Sequence, residues 1–271
     1  MKHRLPFDIL YEDRDVIVID KPAGLLTTHT KVVGRAAREA QLTAENLLND
    51  YVRKGQSRSR SRVWLVHRLD RETSGVMMFA KSEEVAERFR SRWNELTEKT
   101  YVAKVQGVLG EAEGVYESWL MEDADGYRVR SVASDGSRAS GGTGGARRPK
   151  LARTEWRLLS VGSDTSLVEV ALRSGRKNQI RVHFSEAGHP LAGDSKYGRA
   201  PRNSMLCLHA WKLSFVHPKT KETLSFEAPP PGWTGLAARE PDDEAGGFGH
   251  RVHADLAKRR ARRAAETQRP L

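Results

Sequence analysis

The sequence predicts an α+β fold built on a largely antiparallel mixed β-sheet with flanking helices. Short runs rich in Val, Ile, Leu and aromatic residues recur from residue 8 to residue 228, bounded by Gly, Pro, Asp and Ser. Only three stretches carry the 3.6-residue spacing of an amphipathic helix. Several of the apolar runs are separated by turns alone, which is how antiparallel neighbours are joined.

Taken in order, 8–11 and 16–20 read as two short strands around the turn Glu12-Asp13-Arg14-Asp15. Lys21-Pro22-Ala23-Gly24 then ends the pairing, since proline lacks a donor and glycine interrupts the run. Thr43 is placed to cap a helix reaching about residue 52, with Leu47, Leu48 and Tyr51 on its inner face. Val63-Trp64-Leu65-Val66 and Val76-Met77-Met78-Phe79-Ala80 have the composition of buried strands. Ser82 caps a second helix that sets Val85, Phe89 and Trp93 at i, i+4 and i+8. Strand-like runs follow at 101–105, 115–120, 127–132, 154–159 and 166–172. A short helix over 178–187 is stopped at Gly188, with Pro190 just beyond. Residues 206–216 and 222–228 supply the last strands.

Three stretches break this pattern. Residues 53–62 carry Arg53, Lys54, Arg58, Arg60 and Arg62 with no acid among them. Residues 135–150 are rich in glycine and arginine and read as a mobile loop. From about Pro229 the composition becomes that of a tail. Its last part, 250–271, holds seven Lys/Arg against two Asp/Glu, and 254–265 suits a helical arm. The expected organisation is one domain over 1–230, followed by a basic tail over 231–271. With strand signals beginning at Asp8, no separate small module is expected ahead of it.

Composition narrows the function. The 271 residues carry a net charge of +11, and the pI is near 9.9, which favours a polyanionic partner. Cys207 is the sole cysteine, so no intrachain disulfide or thiolate metal cluster can form. No apolar h-region opens the chain and no run approaches the roughly 20 residues that span a bilayer. A cytoplasmic monomer is the expectation.

Chemistry concentrates in three blocks. The first is His67-Arg68-Leu69-Asp70-Arg71-Glu72-Thr73-Ser74-Gly75, which sets one acid, Asp70, in a polar turn between two strands with basic groups on either side. The second is Ser174-Gly175-Arg176-Lys177-Asn178-Gln179-Ile180-Arg181, and the third runs from Gly188-His189-Pro190 through Gly193-Asp194-Ser195-Lys196-Tyr197-Gly198. A turn aspartate most often caps backbone donors. To stay ionised in a partly dry cleft it needs a cation, and Arg181 is the candidate; such a neighbour lowers a carboxyl pKa by roughly 1–3 units. Arg176 and Lys177 sit at the N-terminus of the 178–187 helix, a natural anion site. A Ser/His/Asp hydrolase built on His67, Asp70 and Ser74 is disfavoured because the three are too close in sequence and no Gly-x-Ser-x-Gly elbow exists. Zinc lacks ligand spacing, and the 141–145 glycine run lacks the Gly-Lys-Ser/Thr ending of a phosphate-binding loop.

In order and spacing the three blocks resemble the RluA-type RNA pseudouridine synthases. The resemblance extends from YEDRDVIVIDKPAGLLTT (11–28), through EKTYVAKVQG (98–107), to LHAWKLSFVHP (208–218), and covers about residues 8–230. It implies the pseudouridine synthase catalytic fold with a central RNA-binding cleft, a ribosomal or transfer RNA substrate, and isomerisation of uridine with no cofactor and no metal. By resemblance Asp70 is the nucleophile, Arg181 its partner, and Tyr101 the tyrosine that packs on the base and relays the C5 proton. The acid attacks C1′ of the ribose or C6 of the ring, and both fit the residues. Reaching a uridine inside a helix requires extruding it. Arg68 either fills the vacated position or binds phosphate, while His67 orients its loop. Arg176, Lys177, Gln179 and Leu208 complete the RNA-facing set, Leu208 with core packing as its other reading. Asn178 stands where the family usually has histidine, a departure that touches only a neighbouring polar contact. The competing class is a non-catalytic RNA-binding or RNA-chaperone protein on the same fold.

Overall fold

In the computed structural model, residues 5–29, 41–54, 56, 58–133, 148–172 and 174–236 are described. The 135–147 part of the glycine-rich loop, and the tail beyond 236 with its helical arm, lie outside the described residues.

Among the described residues, eleven strands form one sheet. Strand β1 (Asp8–Glu12) pairs antiparallel with β2 (Val16–Lys21), and β2 with β4 (Ser74–Ala80); β3 (Trp64–Leu65) also lies on β4. The path continues through β10 (Leu208–Val216), β5 (Thr97–Gln106), β9 (Thr165–Leu172), β8 (Lys150–Val161), β6 (Glu113–Glu122) and β7 (Val129–Val132), with β11 (Thr223–Glu227) paired to β10. Every pairing is antiparallel except β4 with β10. The α+β reading and its mixed, mostly antiparallel sheet are therefore what the chain adopts.

The apolar runs read as strands alternate in burial as a two-sided sheet demands. On β2, Ile17 and Ile19 enter one core and Val16 and Val18 the other; on β4, Met77 and Phe79 oppose Val76, Met78 and Ala80. Helix α1 (Ala44–Arg53) covers the first face through Ala44 and Leu48, capped by Thr43, whose hydroxyl accepts from the Asn46 N–H at 3.1 Å. Tyr51, expected inside, is instead 42% exposed and donates to Glu12. The reason is that β1, an edge strand, presents a carboxylate there, and the phenol reaches water and partner together.

The second face is covered by α2 (Glu83–Ser91), capped by Ser82. The expected single helix through Trp93 breaks at Arg92, whose φ of −128° is not helical, and α3 (Trp93–Leu96) begins a new turn. The break lets the Trp93 indole stack on His67, with ring centroids 4.5 Å apart. Helix α4 (Gln179–Glu186) packs on β6, β7 and β8.

The parallel β4–β10 contact sits where the first block meets the sheet. Gly75 has φ +111°, and a Cβ there would lie 2.1 Å from the Ala210 carbonyl oxygen. Only glycine allows the two backbones to approach so closely, which also brings the Ser74 hydroxyl within 2.9 Å of His209 Nδ1. Gly75→Ala should therefore lose at least ~2 kcal/mol of stability, from a strained φ added to a backbone clash. The midpoint of urea unfolding reads this out, and an unchanged midpoint contradicts the tight β4–β10 approach.

Candidate active site

Asp70 lies on the turn between β3 and β4, and that turn is gripped by the 21–27 segment. The Thr27 hydroxyl donates to the Leu69 carbonyl at 2.8 Å and accepts from the Leu69 N–H at 3.3 Å. The Gly24 N–H donates to the Arg71 carbonyl at 2.8 Å, and Arg71 Nε returns a bond to the Gly24 carbonyl at 3.1 Å. Lys21, fully buried, directs Nζ at the carbonyls of Pro22 and Leu25, both at 2.8 Å, and of Arg71 at 3.4 Å. Burial pulls its pKa down to about 8 against the opposing charges of Asp70, Glu72 and Asp20. At neutral pH it remains an ammonium that crosslinks the two segments through their carbonyls.

His67 faces inward. Its Nε2 accepts the Met78 N–H at 3.0 Å, and burial, aided by the Lys99 charge, drops its pKa to about 3. The imidazole is neutral, and it ties the start of the turn to β4. Arg68, next in sequence, is exposed.

The three blocks meet around the Asp70 carboxylate, whose side chain is 23% exposed. Arg181 Nη1 approaches Oδ2 to 3.7 Å and Glu72 Oε2 to 3.6 Å. These are loose ion pairs. The strong bonds of the guanidinium run elsewhere: Nε and Nη2 grip Asp194 in a bidentate fork at 2.7 and 2.8 Å. Asp194 is completely buried and also accepts the backbone N–H groups of Lys196 and Tyr197, at 2.8 and 2.9 Å. Burial pushes its carboxyl up, but the Arg181 hydrogen bonds and charge, with the two backbone donors, outweigh burial and hold it below its ordinary 3.8. Gly193, at φ +76° with the Met205 carbonyl where a Cβ would stand, sets this turn against the strand leading into β10.

The closest donor to Asp70 is Asn178, whose Nδ2 lies 2.5 Å from Oδ2. Asn178 caps α4 in the left-handed region, at φ +52°, which asparagine tolerates better than most residues. Its Oδ1 accepts from Lys196 Nζ at 2.8 Å and from the Tyr197 hydroxyl at 3.2 Å. With two donors on the oxygen, the amide has one orientation, and its N–H₂ must face Asp70. The departure from histidine at this position thus lies against the carboxylate itself, a contact more central than the sequence indicates.

Tyr101 is buried within the core cluster that also holds Leu69 and Ile180. Burial, then the nearby Asp70 charge, raises its pKa well above the ordinary 10.0, so the hydroxyl keeps its proton. Arg176 and Lys177 are exposed at the mouth, Lys177 bonded to Glu122 at 3.0 Å and to the Gly126 carbonyl.

Two residues expected to face RNA are built into the protein. Gln179 is 2% exposed: its Oε1 accepts from the Ser174 hydroxyl and the Arg176 N–H, and its Nε2 donates to the Arg153 carbonyl and the Thr154 hydroxyl. With all four valences used, it organises the loop ahead of α4. Leu208 is 5% exposed in the same core as Tyr101, paired across from Ala103, so its role is core packing. Lys21, Thr27, Asp194, Lys196 and Tyr197 were given no role from the sequence, and Asn178 only that of a departure from the family pattern. Asp194 carried a signal, since Gly-Asp-Ser followed by two backbone donors is an Asx turn and a buried arginine needs a carboxylate.

Among the described residues, no three His, Cys, Asp or Glu side chains are placed to hold a metal, and no helix is long and apolar enough to cross a membrane.

Asp194→Asn should cost about 3–5 kcal/mol at neutral pH, because Arg181 keeps a buried charge without its main partner. A depressed carboxyl pKa stabilises the fold above its unfolded value and loses that effect as pH falls through the folded one. The gap between wild type and variant should therefore be widest at neutral pH and shrink below about pH 4. Denaturation midpoints from pH 7 to pH 2.5 check this; a gap independent of pH would refute the pairing.

A profile of the RNA pseudouridylate synthase family matches residues 15–186. An uncharacterized RNA pseudouridine synthase of Bacillus subtilis, YlyB, is 36% identical over 242 residues, covering 84% of this chain and 70% of the relative. Ribosomal large subunit pseudouridine synthase D of Neisseria meningitidis is also 36% identical over 242 residues, covering 84% of this chain and 59% of its own. Among solved structures, human RNA pseudouridylate synthase domain containing 4 superposes with a TM-score of 0.64, at 24% identity over 84% of this chain and 90% of that one, and shares the fold. With the family profile spanning all the sheet strands from β2 to β9 and helix α4, this chain belongs to the RNA pseudouridine synthases, a family of isomerases.

Proposed function

We propose that this protein converts specific uridines of structured RNA, ribosomal or transfer, to pseudouridine, with Asp70 as nucleophile on a flipped-out nucleotide. The supporting observation is the asymmetric hold on the Asp70 carboxylate. Oδ2 receives Asn178 and faces Arg181, while Oδ1 takes no hydrogen bond among the described residues. One oxygen is fixed and the other is left to attack.

The reaction breaks the N1–C1′ bond, turns the base and joins C5 to C1′, and the C5 proton leaves to solvent. N1 gains a proton, so no electrons are gained or lost overall. Carboxylate addition at C1′ or at C6 splits this change into easier steps, and the carboxylate departs when the new bond forms. Arg181 sets a cation, and Asn178 a donor, against the carboxylate. Tyr101, protonated and buried beside Asp70, suits a ring that stacks on the pyrimidine and a hydroxyl that passes a proton along. A phenolate base would need the opposite pKa shift. Arg68, exposed at the lip of the turn, fits either insertion into the RNA or a phosphate contact. The basic run over 53–62 and the tail over 231–271 extend the RNA-binding surface of a catalytic unit spanning 1–230.

RNA carrying tritium at uridine C5 tests the reading. Wild-type protein should release label to water, and Asp70→Asn should release under about one per cent as much while binding RNA within a few-fold of wild type. Release by Asp70→Asn at a substantial fraction of wild type removes the acid from the nucleophile role. Binding without release by wild-type protein on any cellular RNA favours the non-catalytic RNA-binding class.

A further inference from the structure

Lys99, two residues before Tyr101 on β5, is 9% exposed and stands without an acid. Among the described residues its ammonium contacts no carboxylate and no carbonyl; its one close partner is the face of the Trp93 indole, 5.5 Å away. That indole stacks on His67 at the start of the Asp70 turn. On the other side lies the loop ahead of α4, where a Cβ added to Gly175 would come within 3.2 Å of Lys99 Nζ. The ammonium therefore sits between the two loops that carry Asp70 and Asn178, with Arg176 as the neighbouring charge.

Other buried charges of the described residues have partners: Arg181 has Asp194, Glu169 has Arg157 at 2.8 Å, and the Lys21 ammonium donates to three carbonyls. An unpaired buried cation is strongly disfavoured, and a second cation beside it more so. A cation–π contact offsets only part of that penalty. A ligand of opposite charge would complete such a group, and glycine at 175 puts no side chain against the ammonium.

Resting on the reading of the protein as an RNA enzyme, we propose that Lys99, Arg176 and the Gly175 backbone form a seat for one phosphodiester group of the bound RNA, beside the flipped nucleotide. Phosphate there supplies the missing counter-charge, so RNA binding and a settled Lys99 occur together. The pKa of Lys99, lowered to about 8 by burial and then by Arg176, moves in the direction that a bound oxyanion reverses. Lys99 acts through binding and positioning and takes no part in bond changes at the base.

Two probes test the seat. The first is inorganic phosphate, read by 13C NMR of the Lys99 Cε during pH titration of the full chain. Replacing chloride by phosphate at equal ionic strength should move the Lys99 midpoint upward by a unit or more, and should protect the thermal midpoint of wild type more than that of Lys99→Met or Lys99→Gln. A Lys99 midpoint indifferent to phosphate, or equal protection of all three proteins, overturns the seat; the NMR arm uses wild-type protein and does not depend on a variant folding. The second probe is hexauridylate. Lys99→Met should bind it at least several-fold more weakly at low salt, with a salt slope reduced by about one phosphate's worth, ~0.7 for a single strand. A phosphate response with unaltered hexauridylate binding overturns the RNA assignment and leaves a free-phosphate site. Neither measurement requires isomerisation, so a failed tritium assay and a failed seat are distinguishable.

Discussion

The buried fork between Arg181 and Asp194 is the contact on which the site depends. A guanidinium 95% removed from water is tolerable only because a fully buried carboxylate meets it along two parallel bonds, with two backbone N–H groups completing that carboxylate. Once fixed there, the guanidinium presents its remaining nitrogen to Asp70 and Glu72 at salt-bridge distance. The pairing is thus a relay: Asp194 anchors Arg181, and Arg181 biases Asp70 without clamping it. A carboxylate gripped as tightly as Asp194 has both oxygens occupied, whereas Asp70 keeps one oxygen without a hydrogen bond among the described residues.

A second relay converges on the same carboxylate. Lys196 and Tyr197 fix the Asn178 oxygen, which turns its N–H₂ toward Asp70. Lys196 and Tyr197 follow directly on the turn that begins at Asp194, so one short loop supports both the arginine and the asparagine. On the opposite side, Lys21 and Thr27 pin the backbone of the Asp70 turn. The acid itself is therefore held by neighbours from three segments that are distant in sequence.

Much of the framework was legible because it follows local rules. The two N-caps, Thr43 and Ser82, the alternation on β2 and β4, and the stop at Gly188 are consequences of backbone geometry and period. Where local rules failed, a tertiary partner intervened. The helix expected to run through Trp93 ends early because the indole finds His67, and Tyr51 turns outward to a carboxylate on an edge strand. Gln179, polar and next to a basic pair, looked like an RNA contact; burial among Ser174, Arg153 and Thr154 makes it a brace.

The sequence by itself determined the α+β class, the three chemical blocks and their order, and the pairing of Asp70 with Arg181 as a candidate, because residue type and spacing carry that information; Tyr101 entered only through the family resemblance. Only the tertiary structure decided which charges share partners. It gave Arg181 to Asp194 first, set Asn178 against Asp70, buried Leu208, and left Lys99 without an anion. Such outcomes depend on distances between segments tens to more than a hundred residues apart, and on desolvation, which a residue acquires only when the sheet closes over it.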